Sequence, residues 1–153
     1  MEDNILYIGL FLNEIQKLEL KMVFNAMCTD YPLRKYINLE RNYKEYFDHV
    51  TLIFRTQFDD NKEKLEELLP CIGSLALQKI ELDAIGYSDK CVALRVVKSK
   101  FINTYCANKN PHIMAIVYEG HKPVDSNEIV NWIDIPKITL FAQIDAVYKK
   151  KPK

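Results

Sequence analysis

Hydrophobic and polar positions alternate with the period of a β-strand along much of the chain. Strand-like runs, in which residues two apart share a face, cover residues 5–12, 48–54, 75–87, 91–97, 111–117 and 137–148. Gly9, inside the first run, indicates a bend or a close backbone approach. A polar turn, Ser88-Asp89-Lys90, joins the third and fourth runs into a hairpin. Because a hairpin pairs its strands antiparallel and helices interrupt the strands irregularly, the pattern predicts an α+β domain.

The first helix is predicted directly after the first strand. Asn13 is a suitable N-cap, and Gln16 has the spacing of the reciprocal partner in a capping box. Apolar residues then form one broad stripe, which predicts a well-buried helix. The members of the stripe are Ile15, Leu18, Leu20, Met22, Val23, Phe24, Ala26 and Met27.

Three further helices are predicted from shorter patterns. One has a capping-box start at Asp60 and Glu63, ahead of an apolar leucine face. A second, short helix covers residues 100–107. A third covers residues 125–132, capped by Ser126 or by the aspartate before it, and a last strand follows it.

Two of the three histidines open strand-like runs of similar composition. Strand alternation places His49 and Thr51 on one face, and the core residues Val50, Leu52 and Phe54 on the other. In the later run His112 and Met114 share the outer face, while Ile113, Ala115 and Val117 face the core. This recurrence, at positions 49 and 112, indicates two related halves around a central cleft.

The length, net charge and cysteine content of the chain limit the class of protein to which it can belong. A chain of 153 residues with zero formal net charge predicts a single domain over residues 1–148, followed by a basic tail at 149–153. Zero net charge predicts no general attraction to nucleic acid or to anionic membranes. The four cysteines form no CxxC pair, which indicates free thiols in a reducing compartment. The start of the sequence shows no signal-peptide pattern, so we expect a cytoplasmic protein, with the nucleus as the alternative.

Two imidazoles facing one cleft form an acid–base pair. A neutral ring takes a proton from an attacking oxygen and a protonated ring gives one to a leaving oxygen, since the ordinary pKa of histidine is about 6.5. Thr51 supplies a hydroxyl for a non-bridging phosphate oxygen, and Met114 supplies none.

The alternatives to this acid–base pair are two unrelated structural histidines, or a metal site that includes His121. Asp48 is predicted to point to the core, so no carboxylate is expected beside either strand histidine.

The segment before the His49 strand mixes aromatic and basic residues. Rings stack on bases and cations meet phosphates, so this segment is a candidate wall of a nucleotide pocket. The alternative is a connection that packs its rings on the core and exposes its charges. The residues concerned are Tyr31, Arg34, Lys35, Tyr36, Arg41, Tyr43, Lys44, Tyr46 and Phe47.

The His49-Val50-Thr51-Leu52 motif resembles the His-x-Thr-x motif of the 2H phosphoesterase superfamily, the LigT-like phosphodiesterases. Within that superfamily the chain is similar to the cyclic phosphodiesterase domain of fungal tRNA ligases. The order and rough spacing of the matching segments fit across most of the chain. They are Tyr7-Ile8-Gly9, His49-Val50-Thr51-Leu52-Ile53, Asn108-Lys109-Asn110-Pro111-His112-Ile113 and Lys122-Pro123-Val124-Asp125-Ser126-Asn127.

The resemblance implies a two-lobed antiparallel α+β fold with flanking helices around a central cleft, working without a metal or other cofactor. It implies that His49 and His112 are the acid–base pair and that Thr51 holds a phosphate oxygen. Met114, at a substrate-binding position, stands where the second motif has threonine.

The implied reaction is cleavage of nucleotide phosphodiesters at ribose 2′ or 3′ oxygens. Substrates in the superfamily include 2′,3′-cyclic phosphate RNA ends, 2′–5′ oligoadenylate and cyclic dinucleotides. Some viral members destroy a 2′–5′-linked signal. We expect a nucleotide or RNA-end substrate, with no membrane and no obligatory protein partner. The alternative, motivated by Met114, is a nucleotide- or RNA-binding module that keeps the fold without turnover. A third possibility is a structural protein in which the two histidines do not converge.

Overall fold

The structure is a computed structural model that describes residues 4–30 and 33–149. Tyr31 and most of the predicted basic tail, residues 150–153, lie outside the described residues. Within them the chain forms seven strands and three α-helices, connected by loops and 3₁₀ turns. In chain order these are β1 (Ile5–Phe11), α1 (Glu14–Thr29), β2 (Tyr43–Glu45), β3 (His49–Phe54), α2 (Lys62–Leu68), β4 (Leu77–Tyr87), β5 (Cys91–Val96), α3 (Lys100–Tyr105), β6 (His112–Tyr118) and β7 (Asn131–Tyr148).

All strand pairs are antiparallel and belong to one seven-stranded sheet. The strand order is β2-β6-β3-β1-β7-β4-β5, and β5 also pairs with β6, so the order closes on itself. β2 and the start of β3 pair with the same edge of β6, one after the other along its length. The predicted α+β class is therefore confirmed, with a large antiparallel sheet and a few helices. The predicted hairpin is confirmed as β4 and β5.

The start of α1 is fixed by side chains that the sequence pattern identified. Asn13 is the N-cap, and its side-chain oxygen accepts a hydrogen bond from the Gln16 backbone N–H at 2.8 Å. Gln16 does not return the bond as a capping box requires. Its side-chain oxygen instead accepts the backbone N–H of Phe141 at 2.8 Å, which ties the first turn of α1 to β7.

The predicted buried face of α1 is largely wrong. Leu20, Phe24 and Cys28 face the core, whereas Ile15 and Leu18 of the predicted stripe are 69% and 60% exposed. Two contacts on the buried side set this rotation. The Phe24 ring packs edge-on against Phe47, with ring centroids 5.1 Å apart, and Lys17 pairs with Asp48. The apolar count along the helix could not reveal these partners, because both lie before β3.

Two of the other helix predictions are wrong in different ways. α2 exists but begins at Lys62, and Asp60 lies in a 3₁₀ turn, so it does not cap the helix. The helix predicted over residues 125–132 is absent, because Pro123–Glu128 forms a 3₁₀ turn and β7 already begins at Asn131. Trp132 pairs with Gly86 of β4, and its ring lies directly over that glycine. The room that Gly86 leaves for the indole favours a strand there.

The predicted core position of Phe54 is also wrong. Between Ile8 and Gly9 the pairing of β1 with β3 shifts by one residue, which is the signature of a β-bulge. Leu52 and Ile53 are both fully buried as a result, and the alternation of β3 is reversed beyond them. Phe54 therefore emerges on the same side of the sheet as His49 and is 38% exposed.

At Gly9 the backbones of two strands come close together, as the sequence indicated. We expect its replacement to destabilise the protein. A Cβ atom at this position would lie 2.6 Å from the backbone oxygen of Val50. Gly9→Ala must push β1 and β3 apart, so we expect it to lower the free energy of unfolding by about 2 kcal/mol in denaturant titrations. Gly73→Ala is the control, because Gly73 has open space but a φ of +79°. In Gly73→Ala the strain of this backbone conformation alone is expected to lower the free energy of unfolding by about 1 kcal/mol. An equal cost for both variants would contradict the clash.

Candidate functional site

A cleft of about 660 Å³ opens over the junction of β3 and β6. Val50 pairs with Ile113 at this junction, and both are fully buried, so the residues on either side of them project to the opposite face. The structure thereby brings His49, Thr51, His112 and Met114 into one cleft. The other lining residues are Tyr7, Tyr46, Asp48, Phe54, Thr56, Gln57, Asn108, Pro123, Val124, Ser126 and Asn127.

A carboxylate is hydrogen-bonded to His49, contrary to the prediction that Asp48 points into the core. Asp48 Oδ2 lies 3.0 Å from His49 Nδ1, and its Oδ1 lies 2.6 Å from Lys17 Nζ. The hydrogen bond from His49 and the weaker effect of Lys17 outweigh partial burial and lower the pKa of Asp48 to about 2. An ionised Asp48 accepts the proton on Nδ1, which leaves Nε2 of the neutral His49 ring as the unprotonated nitrogen.

The strand alternation fails at Asp48 because the regular strand begins one residue later. Phe47 has a positive φ of 50° and is buried, so the backbone bends sharply between β2 and β3. The bend is held to β6, since the Phe47 N–H donates to the Met114 carbonyl at 2.9 Å. Asp48 and His49 can therefore contact each other although they are neighbours in the chain.

Aromatic rings pack around His49 and form part of the cleft wall. The His49 ring contacts both Tyr7 and Phe11, with both centroid distances 5.0 Å, and the Tyr7 and Phe11 centroids are themselves 6.2 Å apart. Tyr7 also stacks on Phe54 at 5.9 Å. Tyr7 and Phe54 line the cleft, and burial, followed by the charge of Asp48, raises the pKa of Tyr7. Flat aromatic faces of this kind are suited to stacking on a nucleobase.

His112 is held by one acceptor and one hydroxyl. Its Nδ1 lies 2.8 Å from the carbonyl oxygen of Asn110, and its Nε2 lies 2.8 Å from Ser126 Oγ. Because a carbonyl only accepts, Nδ1 of the ring carries the proton, and Nε2 of the neutral ring accepts from the Ser126 hydroxyl. Burial is the main cause that lowers the pKa of His112, which favours the neutral ring.

Thr51 presents its hydroxyl to the cleft and is fixed through its backbone. The Asn108 side-chain amide donates to the Thr51 carbonyl at 3.1 Å, and Gln57 donates to Asn108 Oδ1 at 3.3 Å. The Thr51 hydroxyl makes no hydrogen bond with the described part of the protein, so it is available to a ligand. Asn108 opens one of the segments that resemble the 2H phosphoesterases, but the sequence assigned it no role in the cleft. Gln57 was not identified, because it belongs to no local motif and acts through Asn108.

Other groups considered from the sequence lie elsewhere. His121 does not line the cleft and lies 3.9 Å from Asp125. Among the described residues of the aromatic and basic segment before β3, only Tyr46 reaches the cleft, while Tyr36 stacks on Tyr87. The four cysteines are free, as predicted, and burial raises the pKa of Cys28 to about 12. Residues 4–30 and 33–149 contain no cluster of side chains suited to a metal ion.

No helix in the described part of the chain is long and apolar enough to cross a membrane. The sequence matches no protein-family model, and a search of curated proteins finds no significant match. The resemblance to the 2H phosphoesterases is therefore an expectation from the sequence motifs alone.

Proposed function

We propose that the protein is a metal-independent phosphodiesterase that cleaves nucleotide phosphodiesters at ribose 2′ or 3′ oxygens with two histidines as acid and base. The observation that supports this most directly is the pairing of each Nδ1 with an acceptor inside one cleft. Asp48 holds His49, and the Asn110 carbonyl holds His112. In each neutral ring Nε2 is thus the nitrogen that exchanges protons with a substrate.

The surroundings of the two rings favour different roles for them. The lowered pKa of His112 keeps this ring neutral near pH 7, as a general base requires. Asp48 orients the His49 ring through the 3.0 Å contact with Nδ1, and His49 is then the group left to serve as the general acid. In the proposed mechanism His112 removes a proton from water or from a neighbouring ribose hydroxyl. His49 gives its proton to the leaving ribose oxygen.

The charge of the cleft favours a phosphodiester over a polyphosphate. The described residues that line it include no lysine and no arginine. A nucleoside triphosphate carries several negative charges that proteins normally neutralise with such side chains or with metal ions. A phosphodiester or a cyclic phosphate carries one negative charge, which hydroxyl donors and a protonated histidine are able to balance. Tyr7 and Phe54 provide stacking surfaces for a base beside this phosphate position.

The family and the two-lobed arrangement are part of the same proposal. The resemblance implies that β3 and β6 each carry the motif of one half, and that the halves face each other across the cleft. The substrate classes that follow are 2′–5′-linked nucleotides, such as 2′–5′ oligoadenylate or a cyclic dinucleotide, and 2′,3′-cyclic phosphates. A small enzyme that removes a 2′–5′-linked signal is compatible with these classes.

Hydrolysis in the presence of EDTA tests this proposal. The purified protein is given 2′,3′-cyclic nucleotides, 2′–5′ oligoadenylate and a cyclic dinucleotide with a 2′–5′ bond, and products are separated chromatographically. We expect chelator-resistant cleavage of at least one substrate. The double variant His49→Gln/His112→Gln is the control and is expected to show none, since each proton transfer contributes about 10²–10⁴-fold. Cleavage that the double variant retains, or none by the parent, would overturn the proposal.

The second candidate is a nucleotide- or RNA-binding module without turnover. Met114 is the observation that favours it, because a thioether in the cleft cannot donate a hydrogen bond to phosphate. This candidate predicts that the parent binds the same nucleotides, that it releases no product, and that binding survives in the double variant.

A further inference from the structure

The two histidines of the cleft differ in the side chain that follows two residues later on the same strand face. Thr51, two residues beyond His49 on the same face of β3, presents a hydroxyl to the cleft. The corresponding neighbour of His112 on β6 is Met114, which carries no donor. A phosphodiester has two non-bridging oxygens, and both gain charge when phosphorus becomes five-coordinate. The cleft therefore needs a second donor on the His112 side.

A hydroxyl does reach His112, but from a different element. Ser126 lies in the 3₁₀ turn Pro123–Glu128, lines the cleft and is 6% exposed. Its Oγ lies 2.8 Å from His112 Nε2, the nitrogen that exchanges protons in the proposed mechanism. Ile129, the residue directly after the turn, anchors it. Its side chain is buried in the apolar cluster that Met114 and Trp132 contact. Glu128 adds an ion pair to Lys90, with Nζ and Oε2 at 2.7 Å.

We propose that Ser126 supplies the phosphate-oxygen donor that Met114 does not, and that it does so once His112 has taken up its proton. This inference rests on the proposed phosphodiesterase function. Before reaction the Ser126 hydroxyl donates to the unprotonated Nε2 of His112. After proton transfer Nε2–H becomes a donor, and the Ser126 oxygen accepts from it. The serine proton is then free to turn to a non-bridging oxygen, because a hydroxyl donates one bond while it accepts others.

The timing of this exchange makes it useful for catalysis. For a 2′,3′-cyclic phosphate, the oxygen of water forms a bond to phosphorus, its proton passes to Ser126 Oγ, and the Ser126 proton passes to His112 Nε2. The bond from phosphorus to the leaving ribose oxygen breaks with its electron pair, and His49 protonates that oxygen. Ser126 gains its phosphate contact while charge builds on the non-bridging oxygens. An interaction that forms only at this stage raises kcat more than it lowers KM.

Exchanging the hydroxyl between two positions tests the inference. Ser126→Ala is expected to lower kcat about 10²-fold with a small change in KM, as for the loss of one preorganised donor. Ser126→Thr keeps the hydroxyl and is expected to retain most of the activity. The double variant Ser126→Ala/Met114→Thr places a hydroxyl on β6 instead, and is expected to recover about 10-fold of the loss. A purely structural role for Ser126 would give no recovery through Met114→Thr.

Two results would overturn this inference. One is a kcat for Ser126→Ala within about 2-fold of the parent, and the other is a loss that neither hydroxyl variant restores. A phosphoserine at position 126 in acid-quenched reactions would instead identify Ser126 as a nucleophile, which also overturns it.

The binding of inorganic phosphate tests the same inference without any catalytic turnover. This binding is followed through the ring C–H resonances of His112, at a pH where those resonances show the ring to be protonated in every variant. We expect about 10-fold weaker binding by Ser126→Ala and recovery in Ser126→Ala/Met114→Thr. If the parent cleaves no substrate, the proposed function fails, and this titration still decides the role of Ser126. Equal affinity of the parent and Ser126→Ala would overturn it.

Discussion

Asp48→Asn is expected to lower kcat for phosphodiester cleavage about 10³-fold, with a much smaller change in KM. The carboxylate accepts a hydrogen bond from His49 Nδ1 at 3.0 Å, and this bond keeps the proton off Nε2 of the neutral ring. An asparagine amide that donates to Nδ1 takes the place of the proton on that nitrogen, so the ring cannot carry protons on both nitrogens as the general acid must. Steady-state kinetics of both proteins, at matched substrate concentrations, measure the effect.

Glu45→Gln is the matched control for this substitution. Glu45 pairs with Lys21, one turn along α1 from the Lys17 that pairs with Asp48, and the Glu45–Lys21 distance is 3.3 Å. The change likewise replaces a carboxylate opposite an α1 lysine, but Glu45 contacts neither histidine. We expect its kcat to stay within about 2-fold of the parent. A kcat for Asp48→Asn that also stays within this range would contradict a proton-transfer role for His49.

Leu20→Ala is expected to lower the free energy of unfolding by about 3 kcal/mol. Leu20 is 1% exposed and lies on the side of α1 that packs against the sheet. Removing its side chain leaves a cavity between the helix and the strands that carry the cleft, in addition to the lost apolar burial. Denaturant titrations followed by circular dichroism measure the change.

Leu18→Ala makes the same chemical change on the opposite side of α1. Leu18 is 60% exposed, so we expect a change within about 0.5 kcal/mol. The pair of variants tests the rotation of α1 directly. If Leu18→Ala were as destabilising as Leu20→Ala, the buried face would be the one that the apolar count favoured.

The strands were predictable from sequence because their signal is local. The alternation in β4, the apolar run of β5 and the polar turn between them define the hairpin without knowledge of any other element. The same alternation correctly placed His112 and Met114 on the outer face of β6, and both line the cleft. The Asn13 cap was also predictable, since its partner Gln16 lies three residues away.

The features that failed depend on partners distant in the chain. Asp48 was assigned to the core because alternation was extended by one residue past the bend at Phe47. Phe54 was misplaced because a bulge opposite Gly9 reverses the alternation, and the pattern of β3 alone does not show it. Ser126 was taken for a helix cap, although it contacts His112 14 residues earlier in the chain. Neither the bulge nor the contact of Ser126 with His112 has a fixed spacing that a motif could encode.

The position of Trp132 has a practical consequence for studying ligands. It is the only tryptophan of the chain, and it packs against the small apolar cluster that Tyr46 and Met114 also contact. Tyr46 and Met114 line the cleft, so a ligand that displaces either of them changes the packing around the indole. Indole emission is sensitive to the polarity and rigidity of its surroundings. We therefore expect Trp132 fluorescence to report occupancy of the cleft without a label and without product formation.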